Sequence, residues 1–170
     1  MVKKPLFTVD LEDYWHGLHI DQGYHTSLPC IWWLEYKLDQ YKVKAIFYVL
    51  GRFSDEVPGM VKALKSCGHI MRSHGYYHNR SEKADRKPYS WLGFIGGFYF
   101  RFLPYWFVKW QVMRKGMFYI HPHDLDEDHP KLKNPWFNWK RHVGLKTARA
   151  KLERLLTEVK FDDPNTYEGL

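Results

Sequence analysis

Three carboxylates stand close together near the start of the chain, at Asp10, Glu12 and Asp13. Negative charges this close raise one another's pKa unless a cation lies between them. On an extended chain Asp10 and Glu12 share one face, whereas a turn after Leu11 would bring Asp13 round instead. The alternative is a solvated turn whose carboxylates cap the segment that follows. The cluster is therefore a candidate cation site.

A second cluster is the pair His74 and His78, which stand four residues apart, with Gly75 directly after the first histidine. Histidines with this spacing lie on one face of a helical turn, where two imidazoles can chelate one Zn²⁺. A chance pair of surface histidines has the same spacing. The position of the pair at the end of an expected strand, beside a glycine, favours a metal site.

A third candidate is His121, which follows the short apolar segment 117–120. Histidine titrates near neutral pH, so a histidine delivered by a strand suits a general acid or base. The alternative is a hydrogen-bonded histidine at a capped strand end. A polar run follows, for which a solvated loop is the stronger expectation and a second cation site the weaker one: His123, Asp124, Asp126, Asp128 and His129.

The three clusters have a joint meaning that none has alone. Two histidines and one carboxylate form a three-ligand site with open positions, which is typical of catalytic zinc. A further carboxylate can then act as base and a separate histidine as acid. This apparatus is suited to metal-assisted hydrolysis of an amide or ester.

The elements that would position these clusters alternate between strands and helices. Strands are predicted at residues 6–9, 43–50, 69–73 and 117–120, and helices from Pro29, from Ser54 to Gly68, and over residues 145–159. This order implies an α/β fold, with a parallel sheet and helices outside it. The polar clusters fall at carboxyl ends of the strands, where such folds bind their ligands.

Length and charge limit the number of domains and the classes of partner. The 170 residues are expected to form a single domain, with a core at about residues 5–160. The formal net charge is +7, which could suit a polyanion or a membrane surface. Because no Lys/Arg run exceeds two residues and no nucleic-acid-binding motif is present, we expect no nucleic-acid partner.

The cysteines, the apolar segments and the first residues add three expectations. Cys30 and Cys67 belong to no CxxC pair and are expected to be free thiols in the core, with a disulfide as the alternative. The aromatic stretch 91–110 is interrupted by glycines, a proline and charges, which excludes a spanning helix and leaves contact with a membrane surface open. No apolar leader precedes Leu6, which predicts a cytoplasmic location.

These motifs, in this order, resemble the polysaccharide deacetylase family, the NodB-homology group known as carbohydrate esterase family 4. The resemblance covers most of residues 5–160. It is carried by residues 8–14 (first acidic motif), 45–51 (intervening strand), 73–78 (histidine motif) and 118–122 (late motif with the catalytic acid). Residues 96–105 and 121–130 resemble a bacterial subgroup that acts on cell-surface or exported polysaccharides.

The resemblance implies a fold, a reaction and a set of roles. The fold would be an incomplete and shortened (β/α) barrel, and the reaction the removal of N-acetyl groups from amino sugars of a polysaccharide. Asp10 would be the catalytic base and His121 the acid. His74 and His78 would bind the metal with one carboxylate. Asp13 and Glu12 are both candidates for this carboxylate ligand, with a slight preference for Asp13.

The same resemblance implies a cofactor and a substrate pocket. The metal would be Zn²⁺, with Co²⁺ or Ni²⁺ as alternatives, and the partner an N-acetylated polysaccharide or oligosaccharide. Phe118 would line the acetyl pocket, and Tyr14 and Arg86 would belong to the substrate pocket. Arg86 begins an Arg-Lys-Pro-Tyr sequence like the family's Arg-x-Pro motif, which orients the base, although it follows His78 sooner than the usual topology has it.

The chain is short for such a barrel. A complete eight-stranded barrel takes about 250 residues, and only about forty residues separate His78 from His121. The missing stretch would hold one or two βα units and the aspartate that tunes the acid. Either the barrel has a gap or a neighbouring chain completes it, and unpaired sheet edges would favour a homo-oligomer.

Two other functions stay open on the sequence. The same site could hydrolyse an amide that is not part of a sugar. Alternatively, the shortened barrel could have kept its metal and lost turnover, which would leave a carbohydrate-binding or assembly module.

Overall fold

The centre of the protein is a parallel β-sheet. The structure, a computed structural model, describes residues 4–16, 27–78, 85, 95–128 and 130–166. Within them the strands are β1 (Leu6–Leu11), β2 (Ala45–Val49), β3 (Ile70–Ser73) and β4 (Met117–Ile120), in the order β3-β2-β1-β4. All neighbouring strands are parallel. The predicted α/β class with a parallel sheet is therefore confirmed.

Seven α-helices connect and cover the strands within the described residues. They are α1 (Leu28–Gln40), α2 (Gly51–Glu56), α3 (Pro58–Ser66), α4 (Gly97–Phe102), α5 (Tyr105–Lys115), α6 (Pro135–His142) and α7 (Leu145–Glu158). Short 3-10 helices occupy Pro122–Leu125 and Pro164–Thr166. None of the described helices is long and apolar enough to cross a membrane.

The predicted helix from Ser54 to Gly68 is wrong at its start. Ser54 lies inside α2, and a new helix begins at Pro58. Proline has no backbone N–H and disfavours helical backbone in the residue before it, so Val57 separates the two helices. Gly68 follows α3 in the left-handed region, with φ of 85°, and ends that helix as predicted.

The two faces of the sheet are both buried but differ in content. Phe7, Val9 and Leu11 of β1 point towards the helices and join the main hydrophobic core. The predicted helix at residues 145–159 is confirmed as α7, and its apolar stripe packs into this core. Because side chains alternate along a strand, Thr8 and Asp10 lie on the opposite face. The site is built on that second face.

The described sheet is open. β3 and β4 each pair with only one strand of the described set, and four strands are half of a complete barrel. Gly96 adds an isolated parallel bridge to Tyr119 on the outer edge of β4. The geometry agrees with the incomplete and shortened barrel that the sequence predicts.

The cysteines are both free, as predicted. Only Cys30 lies in the core, where α1 packs against the sheet. Cys67 is exposed at the end of α3, so its expected core position is wrong.

The backbone of Gly96 lies against that of Tyr119 at the edge of β4 and leaves no room for a side chain. A Cβ at this position would lie 1.9 Å from the carbonyl oxygen of Tyr119. We expect Gly96→Ala to lower the free energy of unfolding by roughly 1–3 kcal/mol, as overpacking does. Gly59 in α3 is the matched control, because a Cβ there meets nothing within 4 Å. Gly59→Ala should be neutral or stabilising in urea titrations, and an unchanged Gly96→Ala protein would contradict the packing described.

Candidate active site

The carboxyl ends of β1 and β4 bring Asp10 and His121 together. Val9 pairs with Ile120, so the next residue of each strand lies at the same level and on the same face. His121 Nε2 lies 3.6 Å from Asp10 Oδ2, and the Asp10 side chain is almost completely buried. The structure therefore places the two expected proton-transfer residues side by side.

Glu12, His74 and His78 form a second group beside this pair. One ligand atom from each lies within 4.8 Å of the other two. Glu12 Oε2 is buried, has no hydrogen-bond partner among the described residues, and lies 3.8 Å from His78 Nε2. Two imidazole nitrogens and a carboxylate are the donors of many catalytic zinc sites. A divalent ion fits this group, because it would satisfy the buried carboxylate oxygen.

The loop after β3 aims the two histidines without forming a helical turn. His74 continues from β3, and its N–H donates to the Val49 carbonyl over 2.9 Å. Gly75 and His78 then adopt left-handed backbone conformations, with φ of 83° and 63°. The imidazole centroids end 4.8 Å apart. The expected helical turn is therefore wrong, and the left-handed backbone at His78, rare outside glycine, supplies the bend instead.

Asp13 does not join this group. The backbone N–H of Ser27 donates to its Oδ2 over 3.3 Å, and its own N–H donates to His16 Nδ1 over 3.1 Å. These contacts fix the start of the next segment, as a capping residue does. The structure thus favours Glu12 over Asp13 as the acidic member of the cluster.

His121 is held in a chain of charged groups. Its Nδ1 and its backbone N–H both contact Asp124 Oδ2 over 3.0 Å. Burial alone would lower the pKa of His121. The hydrogen bond and charge of Asp124, together with the charges of Asp10 and Glu12, outweigh burial and raise that pKa to about 9. The imidazole is therefore held protonated near neutral pH.

Asp124 is in turn held by Arg101. The guanidinium Nε donates to Asp124 Oδ1 over 2.9 Å, and both side chains are buried. Burial opposes ionisation of Asp124, but the hydrogen bond to His121 and the charge of Arg101 hold its pKa well below the usual range. The remaining Arg101 nitrogens donate to backbone carbonyls of Lys140, Arg141 and Val143. Arg101 thus ties α4 to the end of α6 directly behind the Asp124–His121 contact.

Sequence reasoning missed the roles of Asp124 and Arg101. The solvated loop expected after His121 is wrong at its start, where Pro122–Leu125 forms a buried 3-10 helix. The expectation that the shortened chain lacks a carboxylate to tune the acid is also wrong, because Asp124 lies beside His121. The proline directly after His121, with an aspartate two residues further on, was a usable sign of a capped turn.

A second group of possible ligands, His121, His123 and Asp124, is not suited to a cation. Its ligand atoms lie within 4.8 Å of one another. However, Asp124 is paired with Arg101, and His123 Nε2 lies 3.1 Å from an Arg141 nitrogen. Two guanidinium groups beside the same group repel a further positive charge.

A cavity of about 390 Å³ opens over the site. Its lining consists of Glu12, His78, Phe98, Arg101, His121, His123, Asp124, Leu132, Phe137, Lys140 and Arg141. The cavity thus joins the carboxylate and imidazole groups to a rim of aromatic and basic side chains.

Two of the three expected pocket residues lie elsewhere. Phe118 points into the core on the helix side of β4, with its ring edge-on to Phe7 at 5.2 Å. Tyr14 is completely buried, and its hydroxyl donates to the Pro130 carbonyl over 3.3 Å. The expected pocket roles of both are therefore wrong. Arg86 lies outside the described residues.

Two family models match the chain in succession. Residues 16–90 match the family described as polysaccharide deacetylase. This part of the chain is therefore similar to the polysaccharide deacetylases. Residues 87–167 match a domain of unknown function, DUF3473. The site draws His74 and His78 from the first range and His121 from the second, whereas Asp10 and Glu12 precede both.

Known proteins similar to this chain include a peptidoglycan-N-acetylglucosamine deacetylase from Bacillus cereus. It is 36% identical over 53 residues, which are 31% of this chain and 19% of that protein. The match thus spans about a fifth of the length of the curated relative.

Two solved structures are similar at low identity. A CE4 family pseudoenzyme from Bacillus anthracis matches with 12% identity and a TM-score of 0.48, over 97% of this chain and 66% of that chain. A peptidoglycan N-acetylglucosamine deacetylase matches with 17% identity and a TM-score of 0.44, over 100% of this chain and 91% of that chain.

Proposed function

We propose that this protein is a metal-dependent hydrolase that removes N-acetyl groups from amino sugars of a cell-surface or exported glycan. One observation carries the proposal: the group of Glu12, His74 and His78 lies directly beside the Asp10–His121 pair. The relationship to polysaccharide deacetylases supports the reaction type. The products would be acetate and a free amino sugar.

Glu12, His74 and His78 would hold the metal. Zn²⁺ suits two imidazole nitrogens and a carboxylate oxygen, and Co²⁺ or Ni²⁺ accept the same ligands. When bound, such an ion polarises a carbonyl group and lowers the pKa of a coordinated water. The buried and unsatisfied Glu12 Oε2 supports this assignment.

Asp10 is placed to act as the general base. Its Oδ2 lies 4.0 Å from His74 Nε2 and 3.6 Å from His121 Nε2, between the metal-binding group and the acid. A carboxylate here accepts the proton that the attacking water loses as its oxygen bonds to the acetyl carbon.

His121 is placed to act as the general acid. Asp124 occupies Nδ1, so Nε2 is the nitrogen that faces Asp10 and the cavity. The proton on Nε2 can pass to the nitrogen of the amide as the carbon–nitrogen bond breaks, which releases a neutral amine. Arg101 and Asp124 are positioning residues that hold the ring in this orientation.

Acetate release is the direct test. With Zn²⁺ or Co²⁺ added, an N-acetylglucosamine oligomer should yield acetate, and His74→Ala and Asp10→Asn should abolish the yield. Acetate from a simple acetamide but from no sugar would indicate hydrolysis of another amide. Stoichiometric metal binding without acetate from any amide would contradict the proposal and leave a glycan-binding or assembly module.

The choice between Glu12 and Asp13 gives a sharper prediction for the metal. Glu12→Gln should weaken zinc binding by more than the roughly 10–100-fold that loss of an outer-shell partner costs. Asp13→Asn should bind zinc within about tenfold of the parent protein, since its carboxylate contacts the Ser27 backbone. Competition with a chromophoric chelator measures both, and the reverse ranking would place Asp13 at the metal.

A further inference from the structure

A surface of exposed aromatic rings borders the cavity. α6 has no buried residue, and its Trp136 and Trp139 rings stack at 5.0 Å while 63% and 42% exposed. The Trp139 ring also lies 6.0 Å from Phe98 and 5.8 Å from Phe102 of α4. We call Phe98, Phe102, Trp136 and Trp139 the aromatic platform. An exposed apolar surface of this kind marks a binding site more often than chance exposure.

The aromatic platform is continuous with the cavity. Phe98 belongs to the platform and also lines the cavity, as does Phe137 of α6. Glu12 and His121 line the same cavity. A polymer with one unit over those two residues would therefore place a neighbouring unit over the platform.

Two cations stand where the cavity meets the platform. Lys140 and Arg141 both line the cavity, and no carboxylate of the described residues lies within ion-pair distance of either. Lys140 Nζ lies 5.5 Å from the Phe98 ring centre, and the Arg141 guanidinium 5.2 Å from that of Tyr14. Aromatic faces hold these groups by cation–π attraction and leave their charge uncompensated.

We propose that the aromatic platform, Lys140 and Arg141 select N-acetylated glycans whose neighbouring sugar carries a carboxylate. This inference rests on the proposed function for the position of the acetylated sugar. The apolar face of a pyranose ring can stack on the exposed indoles. Lys140 and Arg141 can donate charge-assisted hydrogen bonds to an anionic group, and these are stronger than their hydrogen bonds to the neutral oxygens of an uncharged glycan.

Binding of two matched probes tests the proposal without turnover. The neutral probe is chitotetraose, and the anionic probe is a hyaluronan tetrasaccharide, in which glucuronate alternates with N-acetylglucosamine. Quenching of tryptophan fluorescence should show about tenfold tighter binding of the anionic probe at low salt. High salt should shrink that preference, because rim charges are screened. Equal affinity for the two probes at low salt would overturn the proposal.

Variants separate charge from stacking. Lys140→Gln and Arg141→Gln should each reduce the preference for the anionic probe, while Arg141→Lys should retain part of it. Lys146→Gln on α7, an exposed lysine outside the cavity lining, is the matched control and should keep the full preference. Trp139→Ala should weaken the binding of both probes to the same extent. A preference that survives in the double Lys140→Gln/Arg141→Gln variant would overturn the proposal.

The two proposals fail in distinguishable ways. Acetate released from both probes, with equal affinities, would keep the proposed function and reject selection by the platform. Anionic preference that depends on Lys140 and Arg141, with no acetate from either probe, would keep the platform and reject the proposed function.

Discussion

Replacing His121 with glutamine should lower kcat for acetate release by about 10²–10⁴-fold, the usual contribution of a general acid. Glutamine preserves much of the side-chain volume but cannot pass a proton to the departing amine. The salient geometry is the placement of His121 Nε2 3.6 Å from Asp10 Oδ2, with Asp124 on the other ring nitrogen. The measurement is kcat on an N-acetylglucosamine oligomer with saturating Zn²⁺.

Zinc affinity is the control for the His121→Gln variant. His121 is not one of the three residues that would hold the ion, so the dissociation constant for zinc should stay within about tenfold. Loss of acetate release together with loss of zinc would instead make His121 a ligand. A kcat within threefold of the parent protein would remove His121 from the chemistry.

Arg101→Met should cause the largest loss of stability of any single substitution considered. It removes one of the two cationic groups that contact the buried Asp124 carboxylate, the other being His121, and breaking a buried pair costs about 3–5 kcal/mol. It also removes the donors to three carbonyl groups at the end of α6. Urea titration followed by circular dichroism measures the change.

The matched control is Arg154→Met. Arg154 pairs with Glu158 on the exposed side of α7, where solvent screens the charges. Its midpoint in urea should barely move. If Arg101→Met does not accumulate as a folded protein, Arg101→Lys tests the same contact more gently and should be intermediate. An unchanged midpoint in Arg101→Met would show that the Arg101–Asp124 pair does not hold the fold.

The positions of the main site residues could be predicted because the carboxyl ends of parallel strands lie at the same edge of a sheet. That rule alone brought Asp10, His74 and His121 together from distant parts of the chain. The choice between Glu12 and Asp13 depended on where β1 ends. The strand runs on to Leu11 rather than stopping at Val9, so alternation carries Glu12 onto the face of Asp10.

Other features depended on contacts between distant segments. Phe118 is an odd number of residues from His121, so alternation along β4 already turns it to the opposite face. The pairing of Arg101 with Asp124 could not be predicted, because it depends on how α4 packs against the turn after β4. The bend that aims His78 needs a left-handed residue that is not glycine, which sequence patterns rarely signal.

Anomalous diffraction from crystals soaked in zinc tests the central claim most directly. The account predicts one strong peak, within bonding distance of a Glu12 carboxylate oxygen and of one nitrogen each from His74 and His78. Asp10 and His121 should face the same cavity without binding the ion. A peak between His121, His123 and Asp124, or a peak on Asp13, would contradict the account. So would the absence of a peak beside Glu12, His74 and His78 in crystals that bind zinc at other positions.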